Sequence, residues 1–201
     1  LCSEHELVVN DPFGIFVEES RRRVNVNRIV INKSAVSFLW ILLGSLSEET
    51  NAACESIALQ AVKGFDSPGL FAVELFVEAN GEVYVNEIAP RPHNSGHHTI
   101  ESSYTSQYEQ LNRILLGQPL GSTALVKPAA TCNIVGPQDV NGAYQLANLD
   151  QVLAIEGVYI HMYGKTTTSP DRKLGHFTVL ANTRAEVVSK MEKVKALLNI
   201  V

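Results

Sequence analysis

Two strand-like runs joined by Asn80-Gly81 constrain this chain more than any other feature. Leu70–Glu78 and Glu82–Ile88 are rich in branched and aromatic residues. Asn-Gly readily takes the positive φ values that a tight hairpin turn requires. A two-residue turn predicts that Ala79 pairs with Glu82, which sets Glu74 opposite Glu87 and makes Phe76 face Val85. Two facing carboxylates in a mainly apolar ribbon repel each other, and lose solvation if buried. No lysine or arginine lies within residues 70–88 to neutralise them. A divalent cation does so, and all-oxygen ligands favour Mg²⁺ or Mn²⁺ over Zn²⁺. The alternative is an edge hairpin with both glutamates in water.

Directly after Glu87 comes Ile88-Ala-Pro-Arg-Pro-His-Asn-Ser-Gly-His-His-Thr99. This loop sets a guanidinium, imidazoles, an amide and a hydroxyl beside the candidate metal pair. Arg91 suits a phosphoryl oxygen or bicarbonate through its planar fork. His93 suits proton transfer, while Asn94 and Ser95 suit donation to an oxyanion or a substrate ring. A proline-fixed surface loop is the plainer reading. Zinc binding by His93, His97 and His98 lacks a completing ligand at a recognised spacing. A second basic group, Lys165 with Arg172 and Lys173, falls in the loop between two late strand patterns. It suits a phosphate monoester, or is a solvated basic turn. Gly164-Lys165-Thr166 is not a P-loop, because position 159 holds Tyr159 where that motif needs glycine.

The chain of 201 residues is 45% apolar with a formal charge of −5. This composition excludes disorder and argues against a nucleic-acid partner. The longest apolar run, Ala35–Leu43, is too short for a membrane span and too far in for a signal peptide. Cys2, Cys54 and Cys132 form no CxxC, so neither a disulfide framework nor a thiolate zinc site is indicated, and the cytoplasm is the expected compartment. Short strands are expected at Glu6–Val9 and Gly14–Val17, a solvated turn at Glu18–Arg23, and a half-buried strand at Val24–Ile31. Ser45-Leu-Ser-Glu48 has capping-box spacing ahead of a helix with an Ala53, Ile57, Ala61 stripe, ended by a left-handed Gly64. Residues 104–116 read as a helix with Tyr104, Tyr108, Leu111 and Leu115 on one face. Later come strands at Thr131–Val135, Gly157–Tyr163 and Leu174–Leu180, then a helix to about Leu198 opened by the box Thr183-Arg-Ala-Glu186.

Phe71-Ala-Val-Glu-Leu-Phe76, Val85–His97 and Thr105-Ser-Gln-Tyr-Glu109, with Tyr163-Gly-Lys165 and Arg172-Lys-Leu-Gly-His176, closely resemble the N5-carboxyaminoimidazole ribonucleotide synthetase family, over residues 47–185. The resemblance implies an ATP-grasp enzyme of purine biosynthesis, fused in fungi to a carboxylase domain as phosphoribosylaminoimidazole carboxylase. It implies an α+β fold: the C-terminal half of an ATP-grasp domain over residues 45–125, then a small substrate-closing α+β subdomain over 126–201. Residues 1–44 match poorly. In the implied reaction, ATP phosphorylates bicarbonate to carboxyphosphate, and the amine of aminoimidazole ribonucleotide captures the carboxyl group. Glu74 and Glu87 then match magnesium ligands, and Asn86 with Glu87 a nucleotide contact. Arg91, His93 and Asn94 match the reaction centre, while Ser95, Lys165, Arg172 and Lys173 match the ribonucleotide side. Full members begin with a dinucleotide-fold-like domain and the first half of the ATP clamp. The expectation is therefore a partial enzyme, homodimeric as the resemblance implies, with a non-catalytic binding module as the alternative.

Overall fold

The computed structural model describes residues 8–10, 23–33, 36–41, 47–78 and 80–201, the first three stretches as backbone only. In chain order the elements are β1 (Val8–Asn10), β2 (Arg23–Lys33), β3 (Val36–Ile41), α1 (Glu48–Val62), β4 (Gly69–Glu78), β5 (Val83–Ala89), α2 (Thr99–Ser102) and α3 (Gln107–Leu115). There follow β6 (Ala129–Val135), β7 (Gly142–Ala143), β8 (Leu146–Ala147), α4 (Leu149–Leu153), β9 (Val158–Met162), β10 (Thr167–Thr168), β11 (Lys173–Leu180), α5 (Arg184–Leu197) and β12 (Asn199–Ile200). One antiparallel sheet has the order β3-β2-β4-β5, and a second has β1-β6-β11-β9. The expected α+β class holds. The apolar run Ala35–Leu43 is largely a strand, β3. The strand expected at Gly14–Val17 and residues 18–22 of the turn expected at Glu18–Arg23 lie outside the described residues, and Arg23 opens β2 instead. No helix among the described residues is long and apolar enough to cross a membrane.

β4 is covered on both faces, which explains its near-continuous apolar sequence. Phe71, Val73, Leu75 and Val77 pack against Cys54, Ala58 and Val62 of α1. Leu70 and Ala72 face the other way, onto Ala89 and Ile114 of α3. Glu74 is the next residue on that second face and is only half-buried. The carboxylate thus emerges where the covering helix gives out. The second sheet packs on α5 around Ile134, Leu174, Val179, Met191 and Val194. Thr183 and Glu186 cap that helix reciprocally, as expected.

Three local expectations are corrected. Ser47, not Ser45, caps α1, its side chain accepting from the Thr50 N–H at 3.1 Å. That start places Glu48 and Glu49 in the first turn, where negative charge meets the positive end of the helix dipole. The buried stripe is Cys54, Ala58 and Val62, and Lys63 ends the helix with right-handed φ, so Gly64 is not a left-handed stop. The helix expected over 104–116 is α3 alone, capped by Ser106. Its buried face is Gln107, Gln110 and Ile114, while Tyr104 and Leu115 are exposed. The inner face is polar because it grips backbone rather than filling a core. Gln110 donates to the Gly121 carbonyl at 2.7 Å and accepts from the Gly121 N–H at 3.0 Å. Cys54 is a free buried thiol, and Cys132 is disulfide-bonded, which the cysteine spacing did not indicate.

Candidate functional site

The hairpin closes between Glu78 and Glu82, one residue further out than the expected Ala79–Glu82 pair, and Ala79 itself lies outside the described residues. The Glu78 N–H donates to the Glu82 carbonyl at 2.9 Å, and the Gly81 N–H to the Glu78 carbonyl at 2.9 Å. Gly81 supplies the positive φ, +88°, that this longer loop needs. The extra residue shifts the register by one, so Phe76 faces Tyr84 and Leu75 faces Val85. An irregularity between Glu74 and Leu75 then restores the original phase, and Glu74 pairs with Glu87 as expected. The surplus residue is Asn86, a β-bulge. A bulge lets two consecutive side chains serve one face. Asn86 donates its amide to Glu74 Oε2 at 3.2 Å, while Glu87 stands beside the same carboxylate.

His93 completes the cluster. Its Nε2 lies 3.6 Å from Glu74 Oε1 and 3.9 Å from Glu87 Oε1. One ligand atom from each of Glu74, Glu87 and His93 lies within 4.8 Å of the others. Burial pushes the His93 pKa down, outweighing the pull of Glu74; Arg91 and Lys173 lower it further, while Glu87 raises it. The Ser95 N–H points at His93 Nδ1 from 3.4 Å, and the Ser95 hydroxyl lies 2.9 Å from the same atom. A backbone N–H can only donate, so the neutral ring carries its proton on Nε2, facing the carboxylates. The two glutamates are thus the metal-ligand candidates, and His93 is a donor beside them. Gln107 fixes the loop by accepting from the His93 N–H at 3.0 Å and donating to the His93 carbonyl at 2.9 Å. Arg91 is exposed and holds the Pro92 carbonyl at 2.9 Å. Asn94 is half-buried, whereas Ser95 is buried beneath His93.

The ATP-grasp domain family matches residues 29–108. The phosphoribosylaminoimidazole carboxylase C-terminal domain family matches residues 129–190. N5-carboxyaminoimidazole ribonucleotide synthase of Aquifex aeolicus is 41% identical over 144 residues, 72% of this chain and 38% of that protein. The crystal structure of the synthetase from Thermotoga maritima superposes with a TM-score of 0.83 at 33% identity, covering 98% of this chain and 62% of that one. The chain belongs to the N5-carboxyaminoimidazole ribonucleotide synthase family. It spans well under two thirds of the Aquifex relative and somewhat under that of the Thermotoga chain. A further structure, the Aspergillus clavatus synthase in complex with ADP and 5-aminoimidazole ribonucleotide, superposes with a TM-score of 0.71 at 27% identity, over 86% of this chain and 50% of that one. The ATP-grasp match begins inside the N-terminal segment that reads poorly by motif.

The second basic group lies across the seam in the C-terminal half. The Lys165 ammonium donates to the Lys173 carbonyl, and Arg172 Nη1 donates to Thr167 Oγ1 at 3.2 Å. Lys173 lies close enough to His93 and His97 for its charge to lower the pKa of both, and the ring of His176 on β11 lies 4.5 Å from that of His97. Gly136 buttresses the loop: its N–H donates to the Arg172 carbonyl at 2.9 Å, and its carbonyl accepts from the Asp171 N–H at 2.9 Å. A methyl group on Gly136 would sit 2.1 Å from the Ser169 carbonyl oxygen. Gly136→Ala is therefore expected to displace residues 169–172 and cost about 1–3 kcal/mol of stability by overpacking. Urea denaturation checks this; an unchanged midpoint would show that the loop is not held from behind.

Sequence reasoning missed Gln107, Gln110, the bulge at Asn86 and the ring contacts of His97, His161 and His176. The last carried no signal in residue spacing: His176 stands opposite His161 only once the two late strands are paired.

Proposed function

We propose that the chain supplies the metal and substrate half of an ATP-dependent carboxylating ligase, with residues 45–125 completing an ATP-grasp domain and 126–201 forming the substrate-closing unit. The reaction is phosphorylation of bicarbonate by ATP, giving carboxyphosphate, and capture of its carboxyl group by the amine of aminoimidazole ribonucleotide. One observation carries this reading. Two carboxylates face each other beside a loop of arginine, histidine and asparagine, and the half that carries the basic phosphate-type loop meets this one where the His97 and His176 rings lie 4.5 Å apart.

The donor set fits a hard cation, since Glu74 and Glu87 offer oxygen at one face and neither is salt-bridged to a lysine or arginine among the described residues. Glu74 and Glu87 would hold Mg²⁺ (or Mn²⁺), which when bound neutralises phosphate charge. Asn86 and Glu87 lie where the nucleotide phosphates would approach. The Arg91 guanidinium takes up charge on the transferring phosphoryl group or on bicarbonate. Neutral His93, its Nε2 proton set by Ser95 below, donates toward developing oxyanion charge, and Asn94 orients the substrate ring. Lys165, Arg172 and Lys173 hold the ribonucleotide phosphate.

The test is phosphate release from MgATP. Release that requires both bicarbonate and aminoimidazole ribonucleotide is the expected result. The second reading is a folded module that binds nucleotide without turnover. A folded chain that binds MgATP yet releases no phosphate with either substrate establishes that reading instead. Release with formate in place of bicarbonate would move the substrate class to the related formate-using ligases.

A further inference from the structure

We propose that His176 is a positioning residue, held face to face between His97 and His161, that docks the basic phosphate loop of the C-terminal half onto the Arg91–Ser95 loop. The assignment of those two loops rests on the function proposed above; the mechanical link does not.

His176 lies on β11 and pairs with His161 on β9. Their rings are nearly parallel, with centroids 4.6 Å apart at 17°. The His97 ring lies 4.5 Å from that of His176 at 27°, so three imidazoles form one column across the seam. His97 is tied to the catalytic loop. Its Nδ1 is 2.9 Å from the Tyr108 hydroxyl and 3.2 Å from the Gln107 amide. Gln107 is the side chain that grips the His93 backbone on both sides. The other end is tied to the phosphate loop. His176 Nδ1 lies 3.0 Å from the hydroxyl of Tyr163, which immediately precedes Gly164-Lys165. The Tyr163 N–H donates to the Leu174 carbonyl at 2.8 Å, closing the base of that loop. His161 reaches back across the seam, its Nε2 2.5 Å from Glu101 Oε1 of α2.

Two further observations separate this column from ordinary core. Burial holds His97 down at about 4 and His176 at about 3, so both rings are neutral and stack without charge repulsion. His176 Nε2 and Glu101 Oε2 are buried with no hydrogen-bond partner. Apolar side chains would fill the same seam without that penalty. A seam of imidazoles and a carboxylate is therefore poor packing but a directional joint. It sets where Lys165 and Arg172 stand relative to His93.

The test is amide hydrogen exchange on the full chain, with ribose 5-phosphate binding by calorimetry as a second readout. In His176→Ala, exchange is expected to rise at least about tenfold in both 93–98 and 164–172 while α5 stays protected. Ribose 5-phosphate affinity is expected to fall about tenfold. Tyr163→Phe keeps its ring beside His176 but removes the hydroxyl, and is expected to loosen 164–172 alone. Exchange that rises only around 174–178 in His176→Ala would show a local cavity and overturn the proposal. If His176→Ala does not fold, Tyr163→Phe decides: unchanged exchange at 164–172 overturns it. If the unaltered chain binds no ribose 5-phosphate, the phosphate-site reading fails, and the exchange data still decide the positioning role.

Discussion

Glu87→Gln is expected to abolish divalent-cation binding and to raise the melting temperature in the same variant. Glu74 and Glu87 are directly opposed across β4 and β5, and facing like charges destabilise a sheet by about 0.2–1 kcal/mol. Gln keeps the shape and removes one charge. For a chain of this size that relief corresponds to a rise of roughly 1–3 °C. The same change removes half of the anionic ligand set, so Mn²⁺ affinity should fall by about 100-fold or more. Glu74→Gln should lose the cation too but gain less stability. Glu74 also receives the Asn86 amide at 3.2 Å and faces His93 Nε2 at 3.6 Å, contacts that a carboxylate serves better than an amide. Mn²⁺ electron-spin resonance and thermal scans read both effects. Saturating Mn²⁺ should raise the melting temperature of the unaltered chain by mass action and leave Glu87→Gln unmoved. If Glu87→Gln melts lower and Mn²⁺ shifts neither protein, the pair is structural and the cation reading is wrong.

The carboxylate pair was legible because apolar alternation and a hairpin dipeptide fix which residues can face each other. The path to it was not. A three-residue loop and a bulge at Asn86 each displace the register by one, in opposite senses, so Glu74 still meets Glu87 although Phe76 meets Tyr84. Loop length depends on the φ values that two or three residues settle into, and Asn-Gly suits both lengths. The inner face of α3 was misread for a different reason. Periodicity assigns apolar side chains inward, but Gln107 and Gln110 are buried because each satisfies both a donor and an acceptor of nearby backbone. No residue spacing encodes that exchange. The histidine column lies between the two. Both strands were legible, yet the long loop joining them carries no turn signal that sets their register, so His176 opposite His161 emerges only from the paired backbone.

Stability is expected to fall steeply between pH 6.5 and 4.5. The cause is the set of buried rings His97, His98 and His176, whose pKa values burial lowers from 6.5 to about 4, 3 and 3 respectively. In the unfolded chain these imidazoles take up protons near their ordinary value. In the folded chain they stay neutral until much lower pH. The unfolded state therefore binds more protons throughout this window, and stability that is present above pH 6.5 is lost as pH falls. Each ring withdraws at most about 3 kcal/mol over two pH units, since one pKa unit corresponds to roughly 1.4 kcal/mol. Three such rings sum to an upper bound of roughly 8 kcal/mol, comparable with the whole stability of an ordinary domain. Urea midpoints should fall accordingly, with acid unfolding approached near pH 5. His98→Gln isolates one ring. His98 is fully enclosed, its Nδ1 2.8 Å from the Ser102 hydroxyl, so the variant should be clearly less stable at pH 7.5. It has no proton to refuse, and its deficit should shrink by at most about 3 kcal/mol at pH 4.5. Stability curves for the two proteins that run parallel across the window would show that His98 titrates normally in the fold. The acid sensitivity would then have to come from His97 and His176, the two rings of the column that join the halves of the chain.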